Sequence, residues 1–221
     1  MGWLDSALDV ALQIVPLMMA VVLHELAHGY VALACGDATA AEHGRLSWNP
    51  ARHLDPMGSL LVPGMLALGA YAAGVRPVLF GWARPVPIDP RRLRVPRRDM
   101  ILVALAGPGC NLALAATAAA ALVGMAALIP AAQLAGPGRL VGEILVGAVV
   151  VNCILGIFNL LPVPPLDGGR VLQAALPRSM ARHLRALDGV GMAVVVVLVV
   201  QTNVVSALAR PVIAWLLSWS G

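Results

Sequence analysis

Residues 7–34 read ALDVALQIVPLMMAVVLHELAHGYVALA, an apolar run that carries two histidines and a glutamate in its second half. The run exceeds the roughly 20 residues that a helix needs to cross hydrocarbon. The chain around it agrees: of 221 residues 60% are hydrophobic and 12% charged, with a mean hydropathy of +0.85. That balance lies outside the range of soluble domains. It predicts one integral membrane domain over residues 1–221, with the lipid bilayer as its solvent.

Further apolar stretches run from Met100 to Leu128, Val141 to Leu161 and Val190 to Trp219. A weaker one, Gly58 to Phe80, contains Pro63, Gly64, Gly69 and Gly74, which lower helix propensity and point to a bent, short or re-entrant segment. The expected fold is an all-α polytopic membrane protein with four transmembrane helices and one re-entrant or short hydrophobic segment. Two polar stretches separate these elements, GDATAAEHGRLSWNPARHLDP at 36–56 and FGWARPVPIDPRRLRVPRRD at 80–99. Short β-strands near the active site are expected at Gly44–Trp48 and Ala83–Ile88, the second confined to a sheet edge by Pro85 and Pro87.

All fifteen basic residues are arginines. They cluster at Arg91, Arg92, Arg94, Arg97 and Arg98, and again at Arg170, Arg178, Arg182 and Arg185, as cytoplasmic loops of membrane proteins do. No aromatic residues are interleaved with them, so the net charge of +4 reflects topology, and no nucleic-acid partner is expected. Cys35, Cys110 and Cys153 are odd in number and widely spaced, which suits small packing residues better than a disulfide frame or thiolate site. The acidic N-terminal stretch, with Asp5, Asp9 and no arginine before Arg45, does not resemble a cleaved signal peptide.

Chemistry enters with HELAH at 24–28. His24 and His28 are four residues apart, so their imidazoles leave a helix within about 40° of each other and can reach one metal ion. Glu25 sits one position on, where its carboxylate can take a proton from water as general base. Each central charge in a span costs roughly 2.5–3.5 kcal/mol on insertion scales, and a bound Zn2+ in a hydrated cavity offsets that cost. A hydrolytic zinc site takes three protein ligands. The best third candidate is Asp167, where the span ending near Leu161 leaves the membrane and Gly168 and Gly169 permit close backbone approach; the alternative is a turn or cap aspartate. Glu143 has no histidine near it, Asp89 and Asp99 sit among arginines, and Asp188 precedes a loop glycine. His43 and His53 are weaker rivals because loop histidines usually face solvent.

HELAH, AGPGCN at 106–111 and NLLPVPPLDGGR at 159–170 together resemble the signature segments of the site-2 protease family of intramembrane metalloproteases. The 36–50 and 80–90 stretches further resemble a compact prokaryotic subgroup without the inserted PDZ or appended nucleotide-sensing domain. The resemblance implies that His24, His28 and Asp167 hold zinc, that Glu25 is the catalytic base, and that Asn159 handles substrate. Asn111 is read either as a helix-bridging residue or as a substrate-binding one. It further implies cleavage in or near the transmembrane helix of single-span membrane protein substrates, in a prokaryotic inner membrane. The oligomeric state is left open. The segment GWARPVP could add a strand to an extended substrate.

Ligands must share one membrane depth. Asp167 lies at an arginine-flanked, cytoplasmic end, so His24 and His28 should too, with the N-terminus of the first span outside and the active site toward the cytoplasm. The 58–80 stretch then begins and ends on the cytoplasmic side, as a re-entrant segment would. The rival function is a divalent-metal transporter using the same ligands. Transport calls for acids or histidines strung along other spans, whereas Met100–Leu128 has none and Val190–Trp219 carries Arg210 alone.

Overall fold

In a computed structural model the described residues are 3–72, 83–128, 137–187, 189, 191, 193–195, 197 and 204–218. They are mostly helical. Helix α1 spans Trp3–Ala34, and a short α2 covers Thr39–Glu42. A 3-10 turn at Pro50–Arg52 leads to a π-helical turn at Pro56–Leu61, which runs directly into α3, Val62–Ala72. Then follow α4 (Pro96–Leu128), α5 (Pro137–Asn159), α6 (Asp167–Ala175), α7 (Arg178–Ala186) and α8 (Val204–Leu217).

Three of these contain stretches long and apolar enough to cross a membrane: Ile14–Ala34 in α1, Pro96–Leu128 in α4 and Gly138–Asn159 in α5. They pack on one another pairwise, with α6 against α4 and α8 against α5. Small residues set how closely they approach. A Cβ on Gly156 of α5 would meet Leu112 of α4 at 3.0 Å and the Pro108 carbonyl at 3.2 Å, so glycine there lets two backbones near each other. Polarity is inverted relative to a soluble bundle. His24, His28, Asn111, Asn152 and Asp167 are buried, while Leu102, Leu105, Leu128, Val141 and Val146 are exposed. Such a pattern suits hydrocarbon outside and a polar site inside.

Three expectations need restating. The expected fourth span, Val190–Trp219, falls largely outside the described residues, and its described helix is α8 at Val204–Leu217. The weak 58–80 stretch is helical from its start to Ala72, after a π-helical entry, and residues 73–82 lie outside the described residues. Helix α3 exposes Met65 (64%) and Leu68 (70%), and among the described residues nothing beyond the helix's own backbone lies within 4 Å of where a Cβ would stand on Gly64 or Gly69.

The expected strands are absent among the described residues. Residues 44–48 form turns and bends, and 83–88 is extended chain with a single antiparallel bridge, Ala83 to Leu54. The cause is donor supply. Pro85 and Pro87 have no N–H, and the two donors between and before them are already used: Arg84 N–H on the His53 carbonyl (2.8 Å) and Val86 N–H on the Glu25 carboxylate (2.8 Å).

Where the end of α1 meets the first turns of α4, Ala32, Leu93 and Val103 make a small core joined by Val31, Cys35, Ile88 and Met100. Asp37, fully buried after α1, ties this region together. Its carboxylate accepts the backbone N–H and the hydroxyl of Thr39 and the Asp89 N–H (2.7 Å). Burial by itself works against its charge, but these donors and the Arg92 guanidinium hold its pKa below the ordinary value.

Candidate metal centre

The two histidines stand a helical turn apart on the inner face of α1, and each is oriented by a different element. His24 Nδ1–H donates to Asn111 Oδ1 of α4 (2.6 Å), and His28 Nδ1–H donates to the Val103 carbonyl (2.6 Å). The orientation of Asn111 follows from its other bonds. Its Nδ2 donates to the Ala20 carbonyl (3.2 Å) and to Asn152 Oδ1 of α5 (2.8 Å), which leaves Oδ1 for His24. Asn152 in turn donates from Nδ2 to Ala148 O (2.9 Å). A directed thread of amides thus crosses from α5 through α4 to the first histidine.

With protons on both Nδ1 atoms, both Nε2 lone pairs point inward. They lie 3.0 Å apart, and each is 3.2 Å from Asp167 Oδ2. Three buried acceptors therefore converge with no donor among them, a repulsive arrangement that a cation relieves. Ligands about 2.0–2.1 Å from one tetrahedral ion stand roughly 3.3 Å from each other, close to these separations. The donor set fits a metal ion.

Asp167 opens α6, and its other oxygen, Oδ1, faces Arg170 at 3.7 Å. The chain reaches it through a tight bend: a Cβ on Gly168 would stand 2.2 Å from the Leu160 carbonyl, and one on Gly169 would stand 2.6 Å from Pro164 N. Space on the opposite side comes from α4. A Cβ on Gly107 would stand 2.3 Å from His28 Nε2 and 2.7 Å from His24 Nε2.

Glu25 is half-buried, with Oε2 accepting the Val86 N–H at 2.8 Å. The cluster thus brings together His24, His28 and Asp167, with Asn111 touching His24 and Glu25 alongside on α1. Asn159 ends α5, with its amide donating to the Leu155 carbonyl (2.9 Å). His43 is exposed and bonded to Thr39 O, whereas His53 is buried with Nε2 on Ser47 O, against the solvent-facing position expected of a loop histidine. Asp99 pairs with Arg98 (2.8 Å) and Glu143 with Arg139 (2.7 Å). Asn152 was not singled out in the sequence; its signal is an amide in the middle of an apolar span.

A helical membrane protein with an inward-facing cluster of two imidazoles and a carboxylate, and a second carboxylate adjacent to one ligand, has the parts of a metallohydrolase. The chain belongs to peptidase family M50, the site-2 protease family: the family's sequence model matches residues 124–201, and relatives matched over most of their length agree. It is 37% identical to the Bacillus subtilis protein called "Putative zinc metalloprotease YwhC" over 187 residues, 85% of this chain and 79% of that one. It is 30% identical to the Mycolicibacterium smegmatis protein called "Putative zinc metalloprotease Rip2" over 210 residues, 92% of this chain and 72% of the relative. No solved structure matches it.

Proposed function

We propose that the chain is an intramembrane zinc metalloendopeptidase that hydrolyses peptide bonds in or near transmembrane segments of single-span membrane proteins. The observation that carries this reading is the convergence of His24 Nε2, His28 Nε2 and Asp167 Oδ2 with every orienting proton on the far side of the rings. These three side chains hold the zinc, which when bound supplies Lewis acidity toward water and the scissile carbonyl. Glu25 of the HELAH motif takes the proton from the attacking water and returns it to the leaving amine nitrogen. Val86 N–H anchors one carboxylate oxygen and leaves the other for the proton. Asn159 contributes an amide to substrate at the mouth of the site, after turning away from its bond to Leu155. A divalent-metal transporter has no support in the family's membership.

Four spans complete the topology: α1, α4, α5 and one over 190–219. The N-terminus is outside and the site lies toward the cytoplasmic face of a prokaryotic inner membrane. Residues 58–80 re-enter from the cytoplasmic side, in keeping with the exposed apolar surface of α3.

Detergent-purified protein should hold about one zinc and cleave a model transmembrane substrate. Glu25→Gln keeps the metal and loses at least about 100-fold in cleavage rate, whereas Asp167→Ala loses the metal. Cleavage by Glu25→Gln at the wild-type rate would end this mechanism.

A further inference from the structure

A second polar site lies beside the first. Loop 43–54 and Arg84 enclose a cleft of roughly 230 Å³ lined by His43, Arg45, Arg52 and Arg84, with Gly44 and Ala51 in its wall. No carboxylate lines it. Glu42 is engaged with Arg92 (2.6 Å), and Asp55 caps the helical turn that follows it through Gly58 N–H (2.7 Å). Arg45 is only 9% exposed, yet its Nε–H has no partner among the described residues, an unusual state for a buried guanidinium. Its NH2 group donates to the Arg84 and Pro85 carbonyls (2.7 and 3.4 Å), which holds two like charges near each other. Arg52 is positioned on the rim by donating to the Gly44 carbonyl (2.8 Å).

We propose that this cleft is a binding site for a phosphate group, carried by an anionic phospholipid headgroup or by a soluble phosphate. Three guanidiniums and an imidazole, with no carboxylate among the lining residues and Glu25 acting on Arg45 only through space, match the charge and the many acceptor atoms of phosphate. A bound phosphate relieves the repulsion between Arg45 and Arg84 and supplies acceptors that the protein does not. Occupancy also reaches the metal centre. Arg45 grips the carbonyls of Arg84 and Pro85, and the next residue, Val86, donates to Glu25. The site is distinct from the zinc cluster, and its occupancy is measurable without catalysis, so it stands or falls independently of the protease assignment.

The probe is inorganic phosphate binding to the full chain in an uncharged detergent, by calorimetry. A second arm measures thermal stability in nanodiscs of phosphatidylcholine with or without phosphatidylglycerol. The expected result is phosphate binding that weakens about tenfold in Arg84→Gln, whose exposed side chain leaves the fold intact, and in Arg45→Gln. Arg139→Gln, which removes an equal charge elsewhere, should bind as wild type. Stabilisation by phosphatidylglycerol that Arg84→Gln abolishes assigns the phosphate to lipid; phosphate binding without that stabilisation assigns it to a soluble ligand. The proposal is overturned if neither probe binds, or if binding is equal in wild type and Arg84→Gln. It is also overturned if Arg84→Gln slows cleavage only of substrates with acidic flanks and leaves phosphate binding untouched, since the cleft would then receive substrate.

Discussion

The two halves of the proposed metal centre are held in contrasting ways. The ligand half is built on helices: each histidine is locked by its own acceptor, Asn111 or Val103, and Asp167 is fixed by a bend that tolerates no side chain at Gly168. The base half hangs on one bond, from a proline-rich extended segment to Glu25. Metal affinity should therefore resist change in the loop and collapse on small changes in the bundle, while turnover should respond to both.

The most damaging bundle change is the addition of one methyl group. Gly107→Ala puts carbon within 2.3 Å of His28 Nε2, and the variant should lose essentially all its zinc, read by elemental analysis. Zinc retained at wild-type stoichiometry would show that α4 yields more readily than its packing suggests. Asn111→Ala should weaken zinc binding about 10–100-fold in a competitive chelator titration, because His24 loses its orienting acceptor. Asn152→Ala should cost less than Asn111→Ala, since Asn111 still donates to Ala20.

In the loop, Val86→Pro deletes the N–H on Glu25. It should lower cleavage about tenfold at unchanged zinc content, with Val86→Ala near wild type in both. Proline here would also disturb strand addition by GWARPVP. Because the N–H is already occupied by Glu25, loss of activity in Val86→Pro alone does not report on substrate pairing.

The smallest effect concerns Asp37, which ties the loop to the end of α1. Its folded pKa is depressed, so its contribution is present above the unfolded value and disappears as pH falls through the folded one. Asp37→Asn should be less stable than wild type by about 1–2 kcal/mol at pH 7. The difference should vanish as acid protonates the wild-type carboxylate, followed by thermal melts in detergent.

The contrast also marks what was legible beforehand. Long apolar runs and a four-residue histidine spacing are local signals, and they located α1, α4, α5 and the two imidazoles. Asp167 was the best third candidate by elimination, since Glu143 has no histidine near it, Asp89 and Asp99 sit among arginines and Asp188 precedes a loop glycine. Backbone hydrogen bonding between distant segments carries no such signature. Alternating prolines at 85 and 87 allowed an edge strand on paper, yet the one free N–H between them goes to a side chain from a helix 61 positions earlier. Asn152 drew no notice in the sequence, because only the packing of α4 supplies its partner. Asn159 matched a family motif, but its amide turns back on α5.

The amide thread has a consequence beyond catalysis. In a bilayer, lipid tails compete on nearly equal terms with neighbouring helices for an apolar face, so greasy surfaces alone choose no partner. Asn152, Asn111 and His24 give three helices something lipid cannot offer, and the proposed metal clasp on α1 and the chain beyond α5 adds a second. The chemistry therefore also serves as the molecule's address system, telling otherwise interchangeable hydrophobic rods which neighbours are theirs.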